Sequence, residues 1–115
     1  MPSVDPAPMS ALDFHVLLVL ASGERYGYAI MKAVEAQSRG ALSPEIGSLY
    51  RVLARLMEAG LVVEAPSPEA DADVHPGRPR RWYGITPSGR AALHAETERL
   101  RHALELARGI LPGRG

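Results

Sequence analysis

Apolar positions recur at steps of three and four along most of the chain and break only twice into short β-branched or aromatic runs. The most informative segment is Ser43 to Gly60. Ile46, Leu49, Tyr50, Leu53, Leu56 and Met57 share one helical face, which must be buried. The opposite face carries Gly47, Ser48, Arg51, Arg55 and Glu58. Ser43 suits an N-cap, Pro44 the first helical position and Gly60 the left-handed position past the end, so the spacing predicts a helix over 44–59. Its outer face is small at the start and then arginine-bearing. A helix entering a DNA major groove needs that order: no bulk near its N-terminus, then side chains that reach bases or phosphates. An ordinary amphipathic helix with a solvated outer face would read similarly, so the neighbouring segments have to decide.

Two helices precede it. Ala11 to Ser22 is apolar almost all round and reads as a core helix, with Ser10 and Asp13 forming the start of a capping box. His15 within it reads as a partnered structural histidine rather than a ligand. Ser22 to Arg25 reads as a turn. Tyr26 to Ser38 reads as a second helix ended by Gly40, with Tyr26, Ile30, Ala33, Val34 and Gln37 along one side. Gly27 in its first turn costs about 1 kcal/mol against alanine, which signals a close backbone approach. The link from Arg39 to Ser43 exceeds a tight helix-turn-helix turn and points to the winged variant.

Two short strands follow, Leu61–Ala65 and Arg80–Ile85. The loop between them holds four prolines and Gly77, so the pair predicts a β-hairpin wing with its loop over 66–80. Thr86 and Pro87 open a last helix of about 22 residues, roughly 33 Å long. Leu93, Thr97, Leu100, Leu104, Ala107 and Leu111 repeat at 4, 3, 4, 3, 4, a heptad seam. Three helices and a hairpin already fill a core of this size, so the seam predicts a homodimer through Leu93, Leu100, Leu104, Ala107 and Leu111. The seam is too short for an isolated coiled coil and must also pack on another element, the partner's first helix being the natural choice. The predicted class is therefore mainly α with a small β-hairpin: a disordered tail over 1–9, a winged helix-turn-helix DNA-binding domain over 10–86 and a dimerisation helix over 87–111.

Composition narrows the function. A chain of 115 residues with 46% apolar and 23% charged residues is an ordinary single globular domain. It has no cysteine, which removes disulfides and thiolate metal sites and fits a cytoplasmic location. Its longest apolar run, Val16–Ala21, is too short to span a membrane, and no secretory leader is visible. The formal net charge is zero, but the charges are sorted. Glu64 to Asp73 holds four acids and no base, whereas His75 to Arg90 holds Arg78, Arg80, Arg81 and Arg90 and no acid. Arginines in the wing would lie on the DNA backbone or in a minor groove.

Candidate chemistry changes little. His94, Glu98 and His102 share a helix face, but residues eight apart are separated by about 12 Å along the axis, too far for one metal to bridge. Glu69, Asp71 and Asp73 lack the glycine and spacing of a calcium loop. No nucleophile–base pair and no phosphate-cradling glycine loop occurs, so neither an enzyme, a metal site nor a cofactor is expected. The alternative from another class is a winged helix that serves only as a protein-interaction module.

Five motifs then resemble one family. They are Tyr26-Gly27-Tyr28-Ala29-Ile30, Gly47-Ser48-Leu49-Tyr50-Arg51-Val52-Leu53, Leu56-Met57-Glu58-Ala59-Gly60-Leu61-Val62, Gly77-Arg78-Pro79-Arg80-Arg81-Trp82-Tyr83 and Ile85-Thr86-Pro87-Ser88-Gly89-Arg90. In this order and spacing they resemble the PadR family of bacterial transcription regulators, over roughly Met9 to Leu106. The resemblance implies a winged-helix homodimer that represses promoters by binding double-stranded DNA and is released by a small hydrophobic or aromatic effector. It implies DNA contacts from Ser48, Tyr50 and Arg51, with the wing arginines in support; the outward face adds Arg55. Tyr50 falls on the predicted buried side, so its ring would pack while its hydroxyl reaches a phosphate. The single short C-terminal helix resembles the smaller subfamily, some of whose members hold planar drugs with a tryptophan on that helix. Here the only tryptophan is Trp82, in the wing strand.

Overall fold

The computed structural model describes residues 8–68, 80–111 and 113. The elements run α1 (Ala11–Ala21), β1 (Arg25–Tyr26), α2 (Gly27–Gln37), α3 (Ile46–Glu58), β2 (Val62–Ala65), β3 (Trp82–Ile85) and α4 (Pro87–Ile110). The chain is mainly helical, with one small antiparallel sheet ordered β1-β3-β2. Residues 1–7 of the predicted tail over 1–9 and most of the wing loop lie outside the described residues.

Local chemistry explains most boundaries. Ser10 Oγ accepts the Asp13 amide at 3.1 Å and opens α1, as the capping box predicts. Thr86 Oγ1 accepts the Gly89 amide at 2.9 Å at the start of α4, with Pro87 beside it. Gly60, at φ +78°, ends α3: its amide bonds Met57 O and the Leu61 amide bonds Leu56 O, the paired arrangement of a Schellman cap.

Three predicted boundaries need correction. Ser43 does not cap α3, because its hydroxyl donates to Glu35 Oε2 at 2.8 Å. Glu45 takes the N-cap place without a side-chain bond, and the first helical bond is Leu49 N to Glu45 O. The helix thus starts at Ile46, two residues later than the 44–59 span. Second, the sheet has three strands, not two: Arg25 and Tyr26 pair with Tyr83 and Trp82. Two residues are too few to carry a pattern, and only the presence of β3 makes them a strand. Third, Tyr26 therefore caps α2 from extended backbone instead of lying inside the helix.

The core is formed by Val16, Leu17 and Leu20 of α1, Ile30 and Val34 of α2, Leu49, Leu53 and Leu56 of α3, Val62 and Tyr83 of the sheet, and Leu93 of α4. Helix α1 lies in the middle, against α2, β3 and α4, which is why it is apolar on nearly every side. Burial pushes the Tyr83 hydroxyl above its ordinary titration range. His15 Nδ1 is held by Gln37 Nε2 at 2.8 Å, a structural pairing between α1 and α2. Helix α4 runs past this core, about 36 Å in length, and its second half is exposed. Among the described residues no helix is long and apolar enough to cross a membrane.

Candidate nucleic-acid interface

Helix α3 buries Leu49, Leu53 and Leu56 and presents Gly47, Ser48, Tyr50, Arg51 and Arg55 away from that core. Nothing would meet a Cβ on Gly47 within 4 Å, so its value lies in leaving the front of the helix clear. Arg51 Nη2 donates to Ser48 Oγ at 3.0 Å, and among the described residues no carboxylate neutralises it.

Tyr50 is 44% exposed, so the buried position predicted by periodicity is only half right. Its ring lies against the backbone of Gly27: a Cβ there would sit 2.7 Å from the hydroxyl and 2.9 Å from the ring. The close approach inferred from a glycine in a first helical turn is thereby located. Tyr50 and Gly27 both line a cleft of about 290 Å³, together with Tyr26, Tyr28, Arg80 and Arg81. The sheet positions the arginines. Arg80 stacks on the Tyr26 ring at 3.9 Å, and Tyr26 leans on Trp82 with centroids 5.4 Å apart. Arg81 pairs with Glu64 across the hairpin at 3.1 Å, which holds its guanidinium above the ordinary arginine range. Helix, α2 start and wing base thus meet around one aromatic and cationic hollow.

One predicted site residue is already paired within the chain, and one is not described. Arg55 donates both terminal nitrogens to Asp13, at 2.8 and 2.7 Å, and this hydrogen-bonded pair raises its pKa further. It is engaged by α1 and does not stand free beside Arg51; periodicity within α3 gave no sign of an acid 42 residues earlier. Arg78 lies outside the described residues. Tyr26, Gly27 and Tyr28 line the cleft although the residue pattern alone gave them no site role; their signal was the Tyr-Gly-Tyr sequence itself.

The predicted seam on α4 also divides. Leu93 is 8% exposed and belongs to the protomer's own core, because the first turns of α4 pack on α1 and β3. Leu100, Leu104 and Leu111 are 45%, 49% and 64% exposed, and Ala107 is half-buried. Between α1 and α4 a groove of about 280 Å³ is lined by Met9, Ala11, Phe14, His15, Glu96 and Leu100.

Comparison with known proteins gives this geometry a family. Residues 16–95 match the transcriptional regulator PadR-like family. The transcriptional regulator Rv3488 of Mycobacterium tuberculosis is 38% identical over 104 residues, covering 90% of this chain and 86% of that one. A PadR-like transcriptional regulator from Bacillus cereus superposes with a TM-score of 0.74 at 20% identity, over 90% of this chain and 94% of its own. A PadR family regulator from Clostridium difficile superposes at 0.72 with 22% identity, over 90% of this chain and all of its own. At those identities the two structures attest the winged-helix fold with its C-terminal helix. The family match and the 38% relative are of regulators, not enzymes, and the chain belongs to the PadR-like family of transcriptional regulators.

Proposed function

We propose that the protein is a cytoplasmic repressor that binds duplex operator DNA as a homodimer. Residues 10–86 would carry DNA binding and 87–111 dimerisation. The observation that carries this reading is the exposed Tyr50 and Arg51 of α3, with half-buried Ser48 beside them, next to a cleft lined by Arg80 and Arg81. The α3 face would enter the major groove, and the wing arginines, Arg78 included, would take phosphates.

Arg51→Ala is expected to weaken binding to DNA upstream of its own gene about tenfold and to flatten the salt dependence by roughly one ion, with the fold unchanged. The check is a salt titration by fluorescence anisotropy against a scrambled duplex. Equal, weak binding of the parent to both duplexes would move the function toward a protein partner. Parent-like binding by the variant would remove Arg51 from the reading face.

Dimerisation is supported by the exposed apolar row on α4, where Leu106 and Ile110 flank Leu100, Leu104 and Leu111. A lone protomer rarely keeps so large an apolar surface in water. Leu104→Asp is expected to yield a folded monomer, its dimer dissociation constant raised about a hundredfold. Sedimentation velocity with far-UV dichroism decides: a clean dimer in that variant refutes the seam. A small hydrophobic or aromatic effector would suit the groove between α1 and α4, where Phe14 and Leu100 offer apolar walls in the absence of a tryptophan on α4.

A further inference from the structure

Ser48, Arg51 and Arg55 form one stripe along α3, yet the last of them is held by the first helix. Asp13 sits in the opening turn of α1, its amide bound by Ser10, with only 8% of the residue exposed. Both of its carboxylate oxygens accept from Arg55, at 2.7 and 2.8 Å, a fork-to-fork pair spanning 42 residues of sequence. The acid is the buried anchor; the arginine side chain, 59% exposed, reaches across to it.

The other attachments of α3 are of a different kind. Leu49, Leu53 and Leu56 are apolar contacts without directional preference, and the hydrogen bonds at Gly60 and Leu61 hold only the C-terminal end of the helix. A bidentate guanidinium–carboxylate pair constrains both distance and plane. We propose that Asp13 is a positioning residue for DNA reading: through Arg55 it sets the rotation and slide of α3 on α1, and so aims Ser48, Tyr50 and Arg51, while Arg55 itself touches no phosphate. This rests on the DNA reading above and adds to it a residue outside the DNA-facing surface.

The test uses the full chain, a duplex selected from a random pool by the parent protein, a scrambled control, and a salt titration on each. Asp13→Asn and Arg55→Lys are each expected to weaken binding to the selected duplex about tenfold or more, the scale of a lost charge-assisted hydrogen bond. Affinity for the scrambled duplex and both salt slopes should stay at parent values, since no phosphate contact is removed. Exchanging the pair, Asp13→Arg with Arg55→Asp, should recover part of the discrimination. Should Asp13→Asn fail to fold, Arg55→Lys decides, because it keeps a cation beside the buried acid.

Parent-like discrimination in Arg55→Lys overturns the inference. So does a salt slope lowered by about one in Arg55→Ala, which would make Arg55 a phosphate contact. A gain for both duplexes in Asp13→Asn would mean the same. Arg51→Ala is the control for the reading beneath: if it binds like the parent while Asp13→Asn loses discrimination, Arg51 leaves the reading face and Asp13 positions α3 for Ser48 and Tyr50 alone. A parent that enriches no duplex overturns both.

Discussion

Gly89→Ala is expected to cost about 3 kcal/mol of stability, although alanine is the better helix former by about 1 kcal/mol. Gly89 is the third residue of α4, and a Cβ there would lie 2.2 Å from Leu61 O and 2.7 Å from Ile85 Cγ1. The carbonyl cannot retreat cheaply. Leu61 O already accepts the Thr86 amide at 3.0 Å, and the Thr86 hydroxyl donates to Gly60 O while accepting the Gly89 amide. The junction between α3, the sheet and α4 is therefore backbone against backbone. A methyl group would have to push α4 outward and draw Leu93 from the core. Thermal unfolding at fixed protein concentration should show a melting temperature lower by about 10 °C or more. A variant melting within about two degrees of the parent would show that the junction yields.

Leu53→Ala is expected to cost a similar amount, about 3 kcal/mol, within the usual range for a leucine truncated in a core. Leu53 is 1% exposed, on the same α3 face as Leu49 and Leu56, and the core it joins holds residues of every helix. A small domain has only about 5–15 kcal/mol in total, so the loss is a large share of its stability. Urea titration should move the midpoint down by more than about 1 M at an unchanged slope. Leu53→Met, which keeps the volume, should cost less than about 1.5 kcal/mol. If alanine and methionine cost the same, cavity formation is not what Leu53 prevents.

Much of this architecture was legible because it is local. The caps at Ser10, Thr86 and Gly60 are contacts between residues three to five apart, so their chemistry can be read from a short window. The apolar face of α3 follows from periodicity for the same reason, and the all-round apolarity of α1 marks it as the central helix. The glycine at position 27 announced a close approach, but not that Tyr50 was the neighbour.

Long-range pairing was not legible. Ser43 looked like a cap because Glu35, its hydroxyl's acceptor, comes from the preceding helix. Arg55 looked like a free cation because Asp13 comes from another helix. Leu93 looked like part of a seam because a heptad repeat cannot tell a contact within the protomer from one between protomers.

The order of the four helices and of β2 and β3, the inward face of α3 and the residue types on its outer face can all be read from the chain alone. Those depend on side-chain spacing and on hydrogen bonds within a turn or two. Packing makes Arg25 and Tyr26 a strand, gathers Tyr26, Tyr50, Arg80 and Arg81 around one cleft and sets Asp13 against Arg55. Each of these needs two distant segments to meet, and their meeting is set by how three-dimensional packing closes the core, which no local pattern encodes.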